Sequence, residues 1–278
     1  MEWVACCRAG AARATLAGMR VARSLLEAFA LDRRCVVALA GGGGKTSLIW
    51  LLARALAEQG WRVLTTTTTR IFPPAPEESP ALVLLEHEPD AVAAIRRALA
   101  TYAHVTAALR RNPDGKLAGL APRTVDELAA AGVADAIVVE ADGAAGRPLK
   151  AAREGEPVFP QSTTDCLIVV GADALGAPLD EQWVYRSALA AEITGLERGA
   201  TVDVASAALL LVGPRGLARP APLRSRVVVF VNKVESAMDQ SRSQDLARAL
   251  FAQAGARLAA VVAGSLRSVA DRFVVFEK

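Results

Sequence analysis

The feature that most constrains this chain is a run of four glycines between an apolar segment and a helical one. Residues 35–40 are continuously apolar, as expected for a central strand of a parallel sheet. Residues 46–59 have apolar side chains at helical spacing and are followed by Gly60, a common helix stop. Consecutive glycines weaken regular structure, so such a run indicates a place where the backbone itself must turn or approach another group. The sequence predicts a strand, a glycine loop and a helix.

The residues at the end of this loop supply phosphate chemistry. Backbone N–H groups of small residues can surround phosphate oxygens, a lysine can reach the β- and γ-phosphates, and a hydroxyl can hold Mg²⁺. The start of the helix adds the positive end of its dipole. The predicted nucleotide-binding residues here are Gly41, Gly42, Gly43, Gly44, Lys45, Thr46 and Ser47, with Thr46 as a metal ligand. The motif is the short form of a P-loop, since Leu39 occupies the first glycine position of the long form. The alternative is a tightly packed turn that binds nothing.

Strands and helices alternate along the rest of the chain. Strands are predicted near 61–64, 81–85, 105–109, 136–139, 167–170, 227–231 and 258–262, and helices near 21–30, 90–100, 124–131, 183–193, 203–211 and 240–254. This alternation predicts a three-layer α/β fold of the P-loop NTPase type with a mostly parallel sheet. We expect one domain over residues 21–278 and a disordered N-terminal extension over residues 1–20. Met1 and Met19 are both candidate starts.

Two carboxylates follow the strand predicted at 136–139. Glu140 and Asp142 should lie on one face, about 7 Å apart, at the sheet edge where open α/β sheets bind ligands. We expect Asp142 to hold Mg²⁺ together with Thr46, and Glu140 or Asp142 to orient the attacking group. Lys45, Glu140 and Asp142 form the predicted catalytic set. The alternative is an ordinary strand exit with solvated acids.

Two further segments could meet a γ-phosphate or an acidic substrate. Arg147 and Lys150 follow a glycine-containing turn, and Thr67, Thr69 and Arg70 belong to a threonine run at a strand end. The alternatives are a solvated loop in the first case and a β-branched strand with polar cover in the second.

A third segment suggests a base pocket. Asn232, Lys233 and Glu235 are close to the NKxD element of GTP-binding proteins, with glutamate in place of aspartate. Because the acid is one methylene longer, ATP and GTP both remain candidates. A simple strand-to-helix turn is the alternative.

The composition argues against a nucleic-acid-binding, a membrane-spanning or a zinc protein. The net charge is only +3, and basic residues are not interleaved with aromatic ones, which argues against nucleic acid as a partner. No apolar run reaches the ~18 residues of a membrane span. The four cysteines form no CxxC pair, which is typical of reduced thiols in a cytoplasmic protein. With only His87 and His104, a histidine-rich zinc site is not expected.

Taken together, these motifs resemble the YqeC family of selenium-dependent hydroxylase accessory proteins. The matching segments are GGGGKTS at 41–47, TTTTTRIFPP at 65–74, VVEADGAAGRPLKA at 138–151, GEPVFPQSTTD at 155–165, VGADALGAPLD at 170–180, FVNKVE at 230–235 and VVAGSL at 261–266. The resemblance implies an accessory role in maturing a selenium-dependent molybdenum hydroxylase or its cofactor, with that hydroxylase as a partner. Departures from the family pattern are Ala152 for proline, Tyr185 for histidine and Glu235 for aspartate.

The expected activity is Mg-NTP binding with hydrolysis or phosphoryl transfer. Two rivals remain open. One is an ATP-dependent ligase or small-molecule kinase, because the shortened loop is similar to the GTNGKT[ST] loop of Mur-type ligases. The other is a non-enzymatic chaperone whose partner affinity changes with its nucleotide state.

Overall fold

The computed structural model describes residues 18–254, 257–267 and 272–278. The strands are β1 (Gly18–Ala22), β2 (Cys35–Gly41), β3 (Val63–Thr67), β4 (Arg70–Ile71), β5 (Leu82–Leu84), β6 (His104–Ala108), β7 (Arg110–Arg111), β8 (Leu117–Ala118), β9 (Ala136–Glu140), β10 (Leu149–Lys150), β11 (Asp165–Gly171), β12 (Val184–Tyr185), β13 (Arg226–Asn232), β14 (Leu258–Ala263) and β15 (Phe273–Glu277). The helices are α1 (Leu25–Phe29), α2 (Lys45–Glu58), α3 (Ala91–Thr101), α4 (Pro122–Ala130), α5 (Ser187–Thr194), α6 (Val204–Val212) and α7 (Ala237–Ala254), with a short 3₁₀ turn at Ala172–Ala174.

A ten-stranded sheet organises the chain, in the order β1-β15-β14-β13-β11-β2-β9-β3-β6-β5. The eight strands from β14 to β5 run parallel, and antiparallel pairings occur only where β15 joins β14 and β1 joins β15. This confirms the predicted α/β fold with a mostly parallel sheet. The strand before the glycine loop, β2, lies centrally between β9 and β11, so its end meets the ends of both neighbours.

Apolar side chains leave β2 alternately toward two cores, as the two-residue period of a strand requires. Val36, Ala38 and Ala40 join the core beneath helices α3 to α7, while Val37 and Leu39 join the core beneath α1 and α2. The result is three layers, and β2 is buried on both faces. Each fully buried leucine in these cores contributes roughly 1.5–3 kcal/mol.

The N-terminal segment differs from the prediction. Residues 21–30 were expected to form one helix, but Gly18–Ala22 form an edge strand, and the helix spans only Leu25–Phe29. The side chain of Ser24 caps that helix by accepting from the N–H of Glu27. The expected domain boundary at residue 20 therefore falls inside β1. Residues 1–17, with Met1, Cys6 and Cys7, lie outside the described residues.

Other elements were assigned wrongly or missed, among them the short strands β4, β7, β10 and β12. The helix expected over 183–193 begins only at Ser187, because Val184–Tyr185 pair with Leu149–Lys150 as a short parallel ladder. The strand Phe273–Glu277 was not predicted. In the described part of the chain, no helix has the length and apolar character needed to span a membrane.

Candidate phosphate-binding cleft

The ends of the parallel strands open into a cleft of about 1020 Å³. This is the edge where open α/β sheets bind ligands. The lining includes Gly42, Gly43, Gly44, Lys45, Thr46, Ser47, Trp50, Thr69, Arg70, Phe72, Glu78, Lys116, Glu140, Arg147, Arg153, Glu156, Tyr185, Arg186, Asn232, Lys233, Leu266 and Arg267.

The first three glycines use their N–H groups inside the protein. Gly41 donates to both oxygens of Asp142, at 3.1 Å each, Gly42 donates to the Val169 carbonyl, and Gly43 donates to the Arg147 carbonyl, both at 2.9 Å. These donors are therefore not open to a ligand, contrary to the prediction that all four glycine N–H groups surround phosphate.

The open donors lie one step further along. The N–H groups of residues 44–47 have no acceptor in the described parts of the chain, and the first helical bond of α2 runs from Leu48 N–H to the Gly44 carbonyl. The first N–H groups of any helix lack intrahelical partners. Side chains of Ser24, Asp90 and Asp203 cap α1, α3 and α6, whereas no side chain caps α2, α4 or α5. Of these three uncapped helix starts, that of α2 lies at the glycine loop and lines the cleft. The N-terminus of α2 thus presents four donors at the cleft.

Close packing explains why the first three positions are glycine. A Cβ on Gly41 would overlap the Val169 carbonyl, one on Gly42 would overlap the Arg147 carbonyl, and one on Gly43 would overlap the backbone of Gly171. The tight-turn interpretation is therefore correct for these three residues. The case for phosphate binding depends on residues 44–47 and on Lys45.

The Lys45 side chain is held at the base of the loop. Its ammonium donates to the Gly41 carbonyl at 2.7 Å and lies 3.2 Å from Asp142 Oδ1 and 3.8 Å from Glu140 Oε1. The residue is only 5% exposed. Thr46 and Ser47, the next two residues, are exposed at the cleft.

The two carboxylates after β9 have different surroundings. Asp142 is fully buried and lies between the ammonium groups of Lys45 and Lys150, 3.2 Å and 2.9 Å away. Glu140 lines the cleft beside Lys45. Burial, with a smaller contribution from the Asp142 charge, raises the pKa of Glu140, while Lys45 and Thr46 oppose that rise. Asp142 thus supports the glycine loop from below. It does not face the cleft, where the predicted metal ligand would have to lie.

Lys150 also differs from the prediction. It is fully buried, donates to the Gly143 carbonyl at 2.7 Å and pairs with Asp142 and with Glu156, 3.5 Å away. Its ammonium is therefore not available to a second anion. Arg147 does line the cleft, but its guanidinium donates to the carbonyls of Ala145 and Glu181.

The threonine run is mostly structural. Thr67 is fully buried and donates to the Glu140 carbonyl at 2.9 Å, so it does not reach the cleft as predicted. Thr66 and Thr68 donate to the carbonyls of Ala107 and Val158. Thr69 and Arg70 line the cleft. Polar cover for a β-branched strand accounts for the run up to Thr68.

The predicted base pocket is only partly open. Asn232 donates from Nδ2 to the Gly43 carbonyl at 2.7 Å and accepts from the Leu266 N–H at 3.1 Å, so its amide braces the glycine loop. Lys233 lines the cleft and pairs with Asp173 at 2.6 Å. Glu235 accepts from the Ser265 hydroxyl and is not one of the described cleft-lining residues. Glu235 is exposed, and its role in contacting a base stays a prediction.

Several cleft residues were missed by the sequence analysis. They are Trp50, Phe72, Lys116, Arg153, Glu156, Arg186, Leu266 and Arg267. Phe72, Glu156 and Leu266 lie inside segments quoted for the family resemblance, but no pattern within those segments marked them as site residues. The others lie near quoted motifs, and only that nearness could have drawn attention to them.

Comparison with known proteins places the chain in a family. The YqeC protein family model matches residues 37–188, more than half of the chain. "Uncharacterized protein YqeC" of Escherichia coli (strain K12) is 34% identical over 226 residues, which cover 78% of this chain and 84% of that protein. A solved structure of signal recognition particle 54 kDa protein from Aeropyrum pernix K1, in complex with GDP, matches with 18% identity and a TM-score of 0.35. That match covers 86% of this chain but 43% of the other, and a likeness so remote carries no functional argument. The family match and the E. coli relative show that the chain belongs to the YqeC family.

Proposed function

We propose that this protein binds a magnesium nucleoside triphosphate in the cleft and acts by hydrolysis or phosphoryl transfer. The observation that carries the proposal is the N-terminus of α2, where four N–H groups with no acceptor among the described residues open to the cleft beside Lys45. Such a group of donors at a helix start is suited to phosphate oxygens.

The residues present fit Mg²⁺ delivered with the nucleotide. Thr46 offers a hydroxyl and Glu140 a carboxylate at the cleft, and Mg²⁺ prefers such oxygen ligands. Within the described ranges, no group of three or more His, Cys, Asp or Glu residues could hold a resident metal. A metal that takes its remaining ligands from phosphate and water suits this sparse set. When bound, it would neutralise part of the phosphate charge.

The chain's own groups have distinct roles in this proposal. Residues 44–47 hold phosphate oxygens through the backbone, and Lys45 adds a positive charge whose position is fixed by Gly41 and Asp142. Glu140, rather than Asp142, takes the place beside Thr46 and orients the attacking water or hydroxyl. Asp142 is a positioning residue, since it contacts Lys45 and the Gly41 N–H.

The proposed base contacts differ from those that the NKxD-like segment suggested. The sequence argument for guanine relied on Asn232 and Glu235. The Asn232 amide is buried and bonded to the glycine loop, and the exposed Glu235 accepts from the Ser265 hydroxyl. Lys233, Leu266 and Arg267 line this end of the cleft and are the candidates for base contacts.

The biological role that we propose is cytoplasmic maturation of a selenium-dependent molybdenum hydroxylase or its cofactor. Its support is the resemblance in sequence to accessory proteins of that pathway. A ligase or kinase and a nucleotide-gated chaperone would use the same phosphate-binding loop as an NTPase. Kinetic measurements are therefore needed to distinguish these three functions. Phosphate release without a partner favours an NTPase, release that requires a carboxylate and an amine favours a ligase, and binding without turnover favours a chaperone.

The first test is a thermal-shift and calorimetric titration with ATP, GTP and CTP, each with and without Mg²⁺. A ligand at a hundred times its Kd should stabilise the protein by about 2.7 kcal/mol. Thr46→Ala should remove the magnesium dependence and Lys45→Ala should abolish triphosphate binding. Arg54→Gln, on the exposed side of α2, is the matched control.

Two results would contradict the proposal. One is the absence of stabilisation by any of the three nucleotides. The other is unchanged affinity in a folded Lys45→Ala protein. Because Lys45 is buried among carboxylates, Thr46→Ala, which alters an exposed residue, gives the cleaner reading if the first variant unfolds.

A further inference from the structure

Basic side chains outnumber acidic ones in the cleft, and most of the excess lies away from the glycine loop. Among the described lining residues, eight are basic and three are acidic. Lys45, Lys233 and Arg267 belong to α2 and to the ends of β13 and β14. The other five come from the small sheet β4–β8–β7, the segment after β9 and the start of α5. They are Arg70, Lys116, Arg147, Arg153 and Arg186. A nucleotide on α2 would leave this second group largely unneutralised.

We leave out Arg147, whose guanidinium already donates to two carbonyls. The remaining four cations and two neighbours, which we call the acceptor side of the cleft, are Arg70, Lys116, Arg153, Glu156, Tyr185 and Arg186. Glu156 is its centre, because one carboxylate there meets three cations. Arg186 is 2.7 Å away, Arg153 is 2.8 Å away and Lys150 is 3.5 Å away. Burial alone would raise the pKa of Glu156, but hydrogen bonding by Arg186 and the charges of Lys150 and Arg153 lower it. The carboxylate stays ionised and still leaves positive charge uncompensated.

Arg153 has donors to spare. Its side chain is 66% exposed, and only its Nε hydrogen-bonds, to Glu156 at 2.8 Å. Among the described residues, nothing accepts from its two terminal nitrogens. Anchoring at Nε orients the planar fork of the guanidinium, which matches the paired oxygens of a phosphate or a carboxylate. Arg70, also 66% exposed, has only a 3.4 Å contact with Asp114.

The acceptor side is joined to the phosphate loop by buried charges. Lys45 contacts Asp142, Asp142 contacts Lys150, and Lys150 contacts Glu156. Lys150 and Asp142 are both fully buried, so the link is shielded from water. This series of ion pairs links Arg153 and Arg186, through Glu156, to Lys45 of the loop.

From this arrangement we propose that the acceptor side binds a second substrate, a small molecule carrying a phosphate or carboxylate group, next to the bound nucleotide. The terminal nitrogens of Arg153 donate to the anionic group, and Arg70, on β4, adds positive charge. The inference rests on the proposed function, since it assumes a nucleotide bound at the phosphate loop. It adds that the molecule receiving the phosphoryl group is a bound substrate rather than water. It favours a kinase-like or ligase-like reaction over simple hydrolysis.

The test uses inorganic phosphate and acetate as probes, each titrated calorimetrically at constant ionic strength. The full chain is first saturated with magnesium and a non-hydrolysable triphosphate, which occupies the loop and leaves only the acceptor side for the probe. Binding of phosphate indicates a phosphate-bearing substrate, and binding of acetate alone indicates a carboxylate. Arg153→Gln should raise about tenfold the Kd of the probe that binds, as expected for the loss of a charged hydrogen bond. Arg123→Gln, on an exposed helix surface, is the control.

The outcomes separate this inference from the nucleotide proposal. Nucleotide affinity of the Arg153→Gln protein should match that of the wild type, whereas Thr46→Ala should affect only the nucleotide. If no nucleotide binds, the probes are titrated into the free protein, and sensitivity to Arg153→Gln still supports the acceptor side. The inference is overturned if neither probe binds, or if Arg153→Gln binds it as the wild type does.

Discussion

Asp142 connects the glycine loop to two buried lysines. Its two oxygens accept the Gly41 N–H and pair with the ammonium groups of Lys45 and Lys150, and none of its surface is exposed. A buried charge is tolerated only where partners and hydrogen bonds compensate the loss of water. Here the compensation fixes the phosphate loop in place.

Replacing Asp142 should therefore cost more stability than its size suggests. Asp142→Asn keeps the shape but leaves two buried lysines without their shared negative charge, a loss of about 3–5 kcal/mol in the free energy of unfolding. Urea denaturation measures it. Asp114→Asn, at an exposed contact with Arg70, is the control and should change stability by less than about 1 kcal/mol. Equal losses in the two variants would show that the buried cluster does not stabilise the fold.

His104 should make the protein less stable in mild acid. It is 5% exposed, its Nε2 lies 3.0 Å from the Thr65 hydroxyl, and burial lowers its pKa from 6.5 to about 4. The folded state therefore keeps the ring neutral, while the unfolded chain takes up a proton below pH 6.5. Stability should fall as the pH decreases from 6.5 toward 4, by up to about 3 kcal/mol.

The variant His104→Gln isolates this contribution, because other titrating groups are common to both proteins. Its free energy of unfolding should change less between pH 6.5 and pH 4 than that of the wild type. His87→Gln is the matched control, since His87 is 90% exposed on its side chain. Parallel pH profiles for the wild type and His104→Gln would contradict the assignment.

At the scale of elements, the buried parallel strands and the longer helices were predictable. Strands β9, β11 and β13 have continuously apolar interiors at 136–139, 166–170 and 227–231, and α6 has the buried character expected of residues 203–211. The antiparallel strands β1 and β15 were not predictable, because β1 becomes a strand by pairing with β15, which lies at the other end of the chain between β1 and β14. Local pattern carries no information about such a partner.

The same limit explains which site residues were predictable. Lys45, Thr46 and Ser47 follow from the local motif, since their spacing from the loop is set by the helix itself. The contrast between Glu140 and Asp142 did not follow, because the strand β9 ends at Glu140 and the next segment turns Asp142 under the loop toward Lys150. Which glycine N–H groups are occupied depends on Val169 and Arg147, more than a hundred residues away.

At the scale of the whole molecule, the phosphate loop ties together segments from three regions of the sequence. The Gly43 N–H donates to the Arg147 carbonyl, and the Gly43 carbonyl accepts from Asn232. The Gly42 N–H donates to the Val169 carbonyl at the end of β11. A ligand that orders the loop should therefore restrict all of these segments at once, although none needs to touch it.

Hydrogen exchange followed by mass spectrometry can measure this coupling. Adding magnesium and a non-hydrolysable triphosphate should slow exchange in peptides covering residues 41–50, 141–150 and 228–235, because opening any of them breaks a bond to the loop. Peptides from α3, whose contacts are with β5 and β6 at the far edge of the sheet, serve as the internal control and should be unchanged. Protection confined to 41–50 would mean that the loop binds its ligand without tightening its neighbours. Protection that also reaches 141–150 would mean that the segment leading to the acceptor side responds to the nucleotide, as a two-substrate cleft requires.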